Sequence, residues 1–166
     1  LKKQNDEFIN NSNLKFGLTH AEYKFDGKNY YLIEIAARGG GNLISSHIVP
    51  YLSGVDNYDY LINCYLGKIP DLVMPATNKY RNRCAVLKFF DIPKDCGIVK
   101  EITGLNMLKN YDNIVEYKFN FSVGDILKKA TSDAERAGFY IACCETKEEL
   151  DFLIEEIHQK VRIICE

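Results

Sequence analysis

The stretch LTHAEYKFDGKNYYLIEIAARGGGNLISS, residues 18–46, decides the fold of this chain. Its apolar and polar side chains alternate with the period of two that is typical of β-strands, over residues 18–25 and again over residues 30–38. Between these runs lies DGKN, residues 26–29, whose residue types tolerate positive φ and favour a tight turn. The stretch therefore predicts a β-hairpin, followed by a glycine bend at residues 39–41 and then the start of a helix.

The register of the predicted hairpin brings two carboxylates together. If the loop has three residues, 27–29, Glu22 lies directly opposite Glu34, with Cβ atoms about 5 Å apart on one face. Strict alternation places Leu32 and Arg38 on that same face. Like charges repel at this distance, and a carboxylate in an apolar strand is costly to bury without a partner. The pair therefore indicates a hard cation such as Mg²⁺ or Mn²⁺, and Arg38 adds a planar cation suited to phosphate or carboxylate.

The segment around these acids resembles the C-terminal part of the ATP-grasp ligases. The resemblance rests on GLTHAE at residues 17–22 and on IEIAARGG at residues 33–40. A further match is PYLSGVDNYDYLINCYLG, residues 50–67, which resembles the helical segment after the glycine bend in that family. The most similar branch contains the carbamoyl-phosphate-synthase-like proteins and the L-amino-acid ligases.

The resemblance implies a role for each residue of the candidate site. Glu22 and Glu34 match two acids on neighbouring antiparallel strands that hold the magnesium ions bridging the ATP phosphates. Arg38 matches the arginine that faces the reacting acyl phosphate. The glycine bend is expected to approach substrate or phosphate through Gly39, Gly40 and Gly41.

These residues also allow ordinary structural interpretations. Glu22 and Glu34 could be solvent-exposed strand glutamates, and Arg38 could pair with Glu34 in a salt bridge. His20, on the face of Glu22, is either a partner of Glu22, a substrate or phosphate contact, or a packed, hydrogen-bonded histidine. Ala36 stands where the family often has an asparagine that serves as a further metal ligand, so the number of metal ions stays open.

The resemblance implies an α+β fold of antiparallel strands with packed helices: the C-terminal portion of an ATP-grasp fold followed by a small β-rich subdomain. Prolines and polar residues interrupt the pattern over residues 68–83, which predicts a boundary there. Residues 1–75 are then the C-terminal part of the nucleotide- and metal-binding domain. Residues 76–166 form a C-terminal α+β subdomain.

Local signals predict the remaining elements. Asp56 is expected to cap one helix, Ser45 and Ser46 are suited to cap another, and Thr146 begins a capping box for a C-terminal helix whose apolar face extends to Val161. Apolar runs predict four strands in the second subdomain, over residues 84–90, 97–103, 113–121 and 138–145.

The family implies an ATP-dependent carboxylate–amine or carboxylate–thiol ligase that works through an acyl phosphate and uses ATP with Mg²⁺ or Mn²⁺. The alternative is a non-catalytic, degenerate ATP-grasp module for dimerisation or regulation, which Ala36 keeps open. The glycine-rich loop and the lysines that cradle the triphosphate in the family are absent from this sequence, and its first residue is Leu1. We therefore expect the C-terminal piece of a longer enzyme, incomplete and inactive alone.

Composition narrows the remaining function classes. A net charge of −2, with scattered Lys and Arg, argues against a nucleic-acid surface, and no apolar run is long enough for a membrane span. The six cysteines show no C-x-x-C spacing, and no signal peptide is visible. Free thiols of a reducing cytosol are the expectation, so we place the protein in the cytoplasm. His47 and His158 are expected to be structural, and the C-terminal helix is compatible with a homodimer.

Overall fold

The computed structural model describes residues 1–68, 80–94, 97–132 and 135–166. Contacts between residues divide the chain into two compact units, Leu1–Pro75 and Ala76–Glu166. The predicted boundary region, residues 68–83, lies mostly outside the described residues, as does Cys96.

The first unit combines one β-hairpin with short helices. The elements are α1 (Lys2–Asn11), β1 (His20–Phe25), β2 (Tyr30–Ala36), a π-helical turn (Ile44–Ile48), α2 (Val49–Ser53) and α3 (Asn57–Tyr65). Asp56 caps α3 as predicted, because its Oδ1 accepts the backbone N–H groups of Tyr58 at 2.9 Å and Asp59 at 3.0 Å.

The hairpin reaches the predicted pairing of Glu22 with Glu34 by a different route. Phe25 pairs with Tyr30, so the loop has four residues, 26–29, and the predicted three-residue loop is wrong. A β-bulge on β2 then shifts the register by one residue and brings Glu22 opposite Glu34.

The bulge also changes which residues of β2 share a face. Leu32 pairs with Tyr23, whereas Glu34 pairs with Glu22. Because paired residues of antiparallel strands point to the same side, and Tyr23 follows Glu22 directly, Leu32 and Glu34 lie on opposite faces. The prediction that strict alternation holds through β2 is therefore wrong.

The second unit contains two antiparallel sheets. Its elements are β3 (Cys84–Phe89), β4 (Val99–Ile102), α4 (Leu105–Asn110), β5 (Ile114–Phe119), β6 (Gly138–Cys144), α5 (Lys147–Lys160) and β7 (Ile163–Cys165). Strand β6 is central in the sheet β3–β6–β5, and β4 pairs with β7. All four predicted strands are present, whereas α4 and β7 were not predicted. Thr146 caps α5 as predicted, with its Oγ1 accepting the N–H of Glu149 at 3.2 Å, but α5 ends at Lys160, so Val161 follows the helix.

Burial is very uneven between the two units. The apolar core lies in the second unit, where Ile141, Ala142 and Val99 are fully buried and α5 contributes Leu153 and Ile157. Within residues 1–68, Ser45 alone is buried. The first unit therefore presents most of its apolar side chains to solvent.

The described cysteines are free thiols, as expected. Cys143 and Cys144 are buried, while the others are partly buried: Cys64, Cys84 and Cys165. In the part of the chain that the structure describes, no helix has the length and apolar character needed to cross a membrane.

Candidate functional site

The centre of the candidate site is the Glu22–Glu34 pair on adjacent strands. The bulge is the feature that makes these two acids opposite neighbours. Both side chains are exposed, Glu22 to 60%. Two carboxylates held side by side in water repel each other weakly, and they provide hard oxygen donors on one accessible face.

His20 joins the carboxylate pair to the glycine bend. Its Nε2 lies 3.4 Å from Oε1 of Glu22, and its side chain is only 27% exposed. On the other side, a Cβ atom placed on Gly40 would lie 2.9 Å from the Nδ1 of His20. His20 is therefore a packed residue that also contacts Glu22, a candidate metal ligand. Two of the interpretations that the sequence left open, a packed histidine and a partner of Glu22, thus apply together.

Two of the three glycines are required by close packing. A Cβ on Gly39 would lie 2.5 Å from Oγ and 2.9 Å from Cβ of Ser45, and a Cβ on Gly40 would meet His20. A Cβ on Gly41 would meet nothing within 4 Å. The bend thus approaches neighbouring side chains at Gly39 and Gly40 and faces open space at Gly41.

Ser45 anchors this bend, a role that the sequence does not predict. The residue is 3% exposed, and its Oγ accepts the backbone N–H of Gly40 at 2.7 Å. Its carbonyl oxygen accepts a hydrogen bond from Nδ2 of Asn57, which begins α3, at 3.4 Å. The prediction that Ser45 caps a helix is wrong, because Ser45 lies within the π-helical turn Ile44–Ile48, and Leu43, with positive φ, stands at the N-cap of that turn without a side-chain hydrogen bond.

Arg38 follows the end of β2 at Ala36 and lies next to the bend. Its side chain is exposed, and Nη1 donates a hydrogen bond to the carbonyl oxygen of Gly39 at 2.9 Å. It forms no salt bridge with any residue of the described ranges, so pairing with Glu34 is not seen. The remaining guanidinium donors are available to an anion.

Glu22 and Glu34 supply two of the oxygen ligands that the metal ion implied by the resemblance would need. Across residues 1–68, 80–94, 97–132 and 135–166, no group of three or more His, Cys, Asp and Glu side chains could hold a metal ion. Glu22 and Glu34 therefore fit a metal ion only if other oxygens complete its coordination. This arrangement suits Mg²⁺, which is usually bound by one or two carboxylates together with water and substrate phosphates.

Within the described residues, the other two histidines form polar contacts with neither Glu22 nor Glu34. Nδ1 of His47 lies 2.7 Å from Oγ of Ser46. Nδ1 of His158 lies 3.3 Å from Oδ2 of Asp91, a partner that the sequence does not reveal.

Comparison with known proteins gives matches at two levels. Residues 89–166 match the family model described as L-amino acid ligase C-terminal domain 2. The fold of the chain is similar to the crystal structure of phosphoribosylglycinamide synthetase from Anaerococcus prevotii, with a TM-score of 0.80 and 22% identity over 99% of this chain and 41% of that one. It is also similar to the crystal structure of L-amino acid ligase from Bacillus licheniformis, with a TM-score of 0.81 and 19% identity over 99% of this chain and 40% of that one.

The chain thus spans about two fifths of the length of these solved structures. No curated protein matches it. The predicted α+β fold is confirmed by the structural matches. The resemblance that the sequence suggests is confirmed as well: this chain is similar to the ATP-grasp ligases, in its fold throughout and in the family model over residues 89–166.

Proposed function

We propose that the chain supplies the metal-binding and phosphate-facing part of an ATP-dependent carboxylate–amine or carboxylate–thiol ligase. In this reaction a carboxylate oxygen of the substrate attacks the γ-phosphorus of ATP and ADP leaves. The amine or thiol then attacks the acyl phosphate, and phosphate leaves. Residues 1–75 carry the nucleotide and metal ligands in this proposal, and residues 76–166 are an accessory α+β subdomain.

The direct opposition of Glu22 and Glu34 is the observation that carries the proposal. A metal-free protein gains nothing from placing two like charges opposite each other on a hairpin. The bulge that creates this pairing interrupts the β-ladder, and bulges often occur next to active sites, where they redirect side chains. A shared cation explains why the chain holds the two acids together.

Glu22 and Glu34 would hold Mg²⁺ or Mn²⁺ together with phosphate oxygens of ATP. The bound ion would neutralise the charge that develops between the β- and γ-phosphates. His20 orients the carboxylate of Glu22, since its Nε2 lies 3.4 Å from Oε1.

Arg38 and the glycine bend face the reacting phosphoryl and acyl groups in this proposal. The Nη1–Gly39 hydrogen bond fixes the guanidinium beside the bend, while its other donors stay free for an anion. The close packing at Gly39 and Gly40 holds the bend in one conformation. Catalysis would then rest on positioning and electrostatics, which suits phosphoryl transfer because little covalent chemistry is required of the protein.

One observation favours a second candidate, a degenerate module that dimerises or regulates without catalysis. Ala36 pairs with His20 at the start of β1, and its side chain brings no oxygen to the site, where the family often has a metal-binding asparagine. A single metal ion held by two carboxylates remains compatible with Ala36.

Mn²⁺ and Mg²⁺ binding in the presence of ATP distinguishes the two candidates. In the ligase proposal, Mg·ATP raises the melting temperature of the chain, and Glu34→Gln abolishes this increase. In the metal-free protein the same substitution slightly raises the melting temperature, because it removes the repulsion with Glu22. These opposite signs are specific for a metal ligand, since loss of a structural contact would lower the melting temperature both with and without Mg·ATP.

Glu101→Gln provides the matched control, because Glu101 is also an exposed strand glutamate but lies on β4 of the other unit. It should behave as the parent does in both measurements. In the protein with its full ligase activity, Glu34→Gln should reduce Mg²⁺-dependent ADP release by about 10²-fold or more. Unchanged Mg·ATP binding and unchanged ADP release in Glu34→Gln would overturn the proposed role of this residue.

A further inference from the structure

A cleft of about 450 Å³ lies in the second unit, and none of its lining residues belongs to the proposed ligase site. It opens between the end of β3 and the segment that joins α5 to β7. Its walls are mostly apolar, with Phe90, Ile92 and Val161 among them. Its volume falls within the range of small-molecule sites, about 300–1,000 Å³.

The register of the sheet places a lysine on the inner face of this cleft. Lys88 of β3 pairs directly with Tyr140 of β6. Tyr140, Ala142 and Cys144 lie on the sheet face that forms the apolar core. Because directly paired residues share a face, Lys88 lies on this face as well, but on the edge strand β3, where its side chain is exposed and lines the mouth of the cleft.

Tyr140 brings an unpartnered hydroxyl to the same position. The residue is 3% exposed and lines the cleft, yet its hydroxyl has no hydrogen-bond partner among the described residues. Burial, with a smaller effect of the Asp91 charge, raises the pKa of Tyr140 to about 12, so the phenol keeps its proton at neutral pH. Among the described residues no buried side-chain oxygen lacks a partner, so this hydroxyl is reached from the cleft and is open to water or to an acceptor of a ligand.

The charges that line the cleft have a positive excess. Arg162 donates from Nε to the carbonyl oxygen of Gln159 at 3.1 Å, and neither Arg162 nor Lys88 forms a salt bridge within the described ranges. The carboxylate of the cleft, Asp91, is already paired with His158 at 3.3 Å. Two exposed cations, one phenol donor and one carboxylate thus line a largely apolar cavity, and the charged side chains of the lining have a positive excess.

We propose that this cleft binds a small monocarboxylate with an apolar body. The carboxylate accepts hydrogen bonds from the Tyr140 hydroxyl and from Lys88, and Arg162 adds charge complementarity from the opposite wall. The apolar body of the ligand packs between the aromatic and aliphatic walls. None of these groups belongs to the Glu22–Glu34 site, so the inference stands whether or not the ligase proposal holds.

The test uses 4-methylpentanoate as the probe and its neutral amide, 4-methylpentanamide, as the matched ligand. Binding to the whole chain is measured by isothermal titration calorimetry and by saturation-transfer NMR. We expect the acid to bind with a Kd of about millimolar, as suits a ligand of this size, and the amide to bind at least several-fold more weakly. Lys88→Gln should weaken binding of the acid several-fold and leave binding of the amide nearly unchanged, whereas Tyr140→Phe should weaken binding of the acid more than that of the amide, whose carbonyl oxygen also accepts a hydrogen bond.

Lys118→Gln is the control for net charge. Lys118 is exposed on β5 of the same sheet, but it pairs with Phe139 and therefore lies on the opposite face from Tyr140. This variant should bind the acid as the parent does. Equal binding of acid and amide, loss of binding in Lys118→Gln equal to that in Lys88→Gln, or absence of binding by either probe would overturn the proposal.

Discussion

Three consecutive glycines have different structural requirements, and the packing around each one shows why. Gly39 faces Ser45, the one buried residue of positions 1–68, which has no room to move. Gly40 faces the ring of His20, which is partly exposed and could shift. Gly41 faces open space. These contacts rank the three positions, although all three carry the same residue.

This ranking gives a prediction at the residue scale. Gly39→Ala should lower the free energy of unfolding by about 1–3 kcal/mol, because the new methyl group overlaps Oγ and Cβ of Ser45. Gly41→Ala should be neutral or stabilise by up to about 1 kcal/mol, since it reduces only the entropy of the unfolded chain. Urea unfolding followed by circular dichroism measures both. Equal effects at Gly39 and Gly41 would contradict the packing described for the bend.

At the scale of elements, the hairpin shows what a sequence pattern can predict and where it fails. The pairing of Glu22 with Glu34 is correct, but it arises from two departures that cancel: a loop longer by one residue and a bulge that adds one residue to β2. The longer loop is stabilised by Asp26, whose Oδ1 accepts the N–H groups of Lys28 and Asn29 at 2.8 and 2.7 Å. Alternation of residue types carries no signal for a bulge, so the faces of Leu32 and Glu34 could not be assigned correctly.

Elements that depend on local hydrogen bonds were predictable, and those that depend on tertiary contacts were not. The caps at Asp56 and Thr146 follow from one side chain and its own backbone neighbours. The three-residue strand β7 forms because β4 is available to pair with it. The anchoring role of Ser45 requires Gly39 and Gly40 to fold back onto it. No spacing within the sequence specifies those contacts.

Strand β6 supports a second prediction at this scale, about thiol reactivity. Burial, and to a lesser degree the neighbouring Cys144, raises the pKa of Cys143 to about 11, and burial also raises the pKa of Cys144. The thiolate is the reactive form, so both residues should react slowly with iodoacetamide in the native protein. Cys64, which is only partly buried on α3, should react faster.

The pH dependence of this labelling follows from the sign of the shift. Raising the pH from about 7 to 9 converts most of a thiol with an ordinary pKa, about 8.5, to the reactive thiolate. Cys143, with its pKa raised to about 11, stays almost entirely protonated over this range and should still be labelled slowly at pH 9. Peptide mapping by mass spectrometry gives the rate at each position, and labelling in urea provides the reference in which burial is removed. Labelling of Cys143 in the native protein as fast as that of Cys64 would contradict the buried position of β6.

At the scale of the whole molecule, different observations support different parts of the chain. The family model covers residues 89–166, which lie entirely in the second unit and contain the main core. The candidate metal ligands lie in the first unit, where the structural matches support the fold. The proposed site at Glu22 and Glu34 therefore rests on its own geometry, and its test is independent of the family assignment.

The uneven burial predicts uneven stability, which native-state hydrogen exchange can measure. Amides of β6 should exchange slowest, because this strand is buried and paired on both sides, by β3 and β5. Amides of β1 and β2 should exchange faster by at least about tenfold, since a two-stranded hairpin without a buried apolar face is marginally stable in water. Equal protection of β2 and β6 in the isolated chain would mean that the apolar side chains of the first unit are covered in solution, and the difference in burial between the two units would then be wrong.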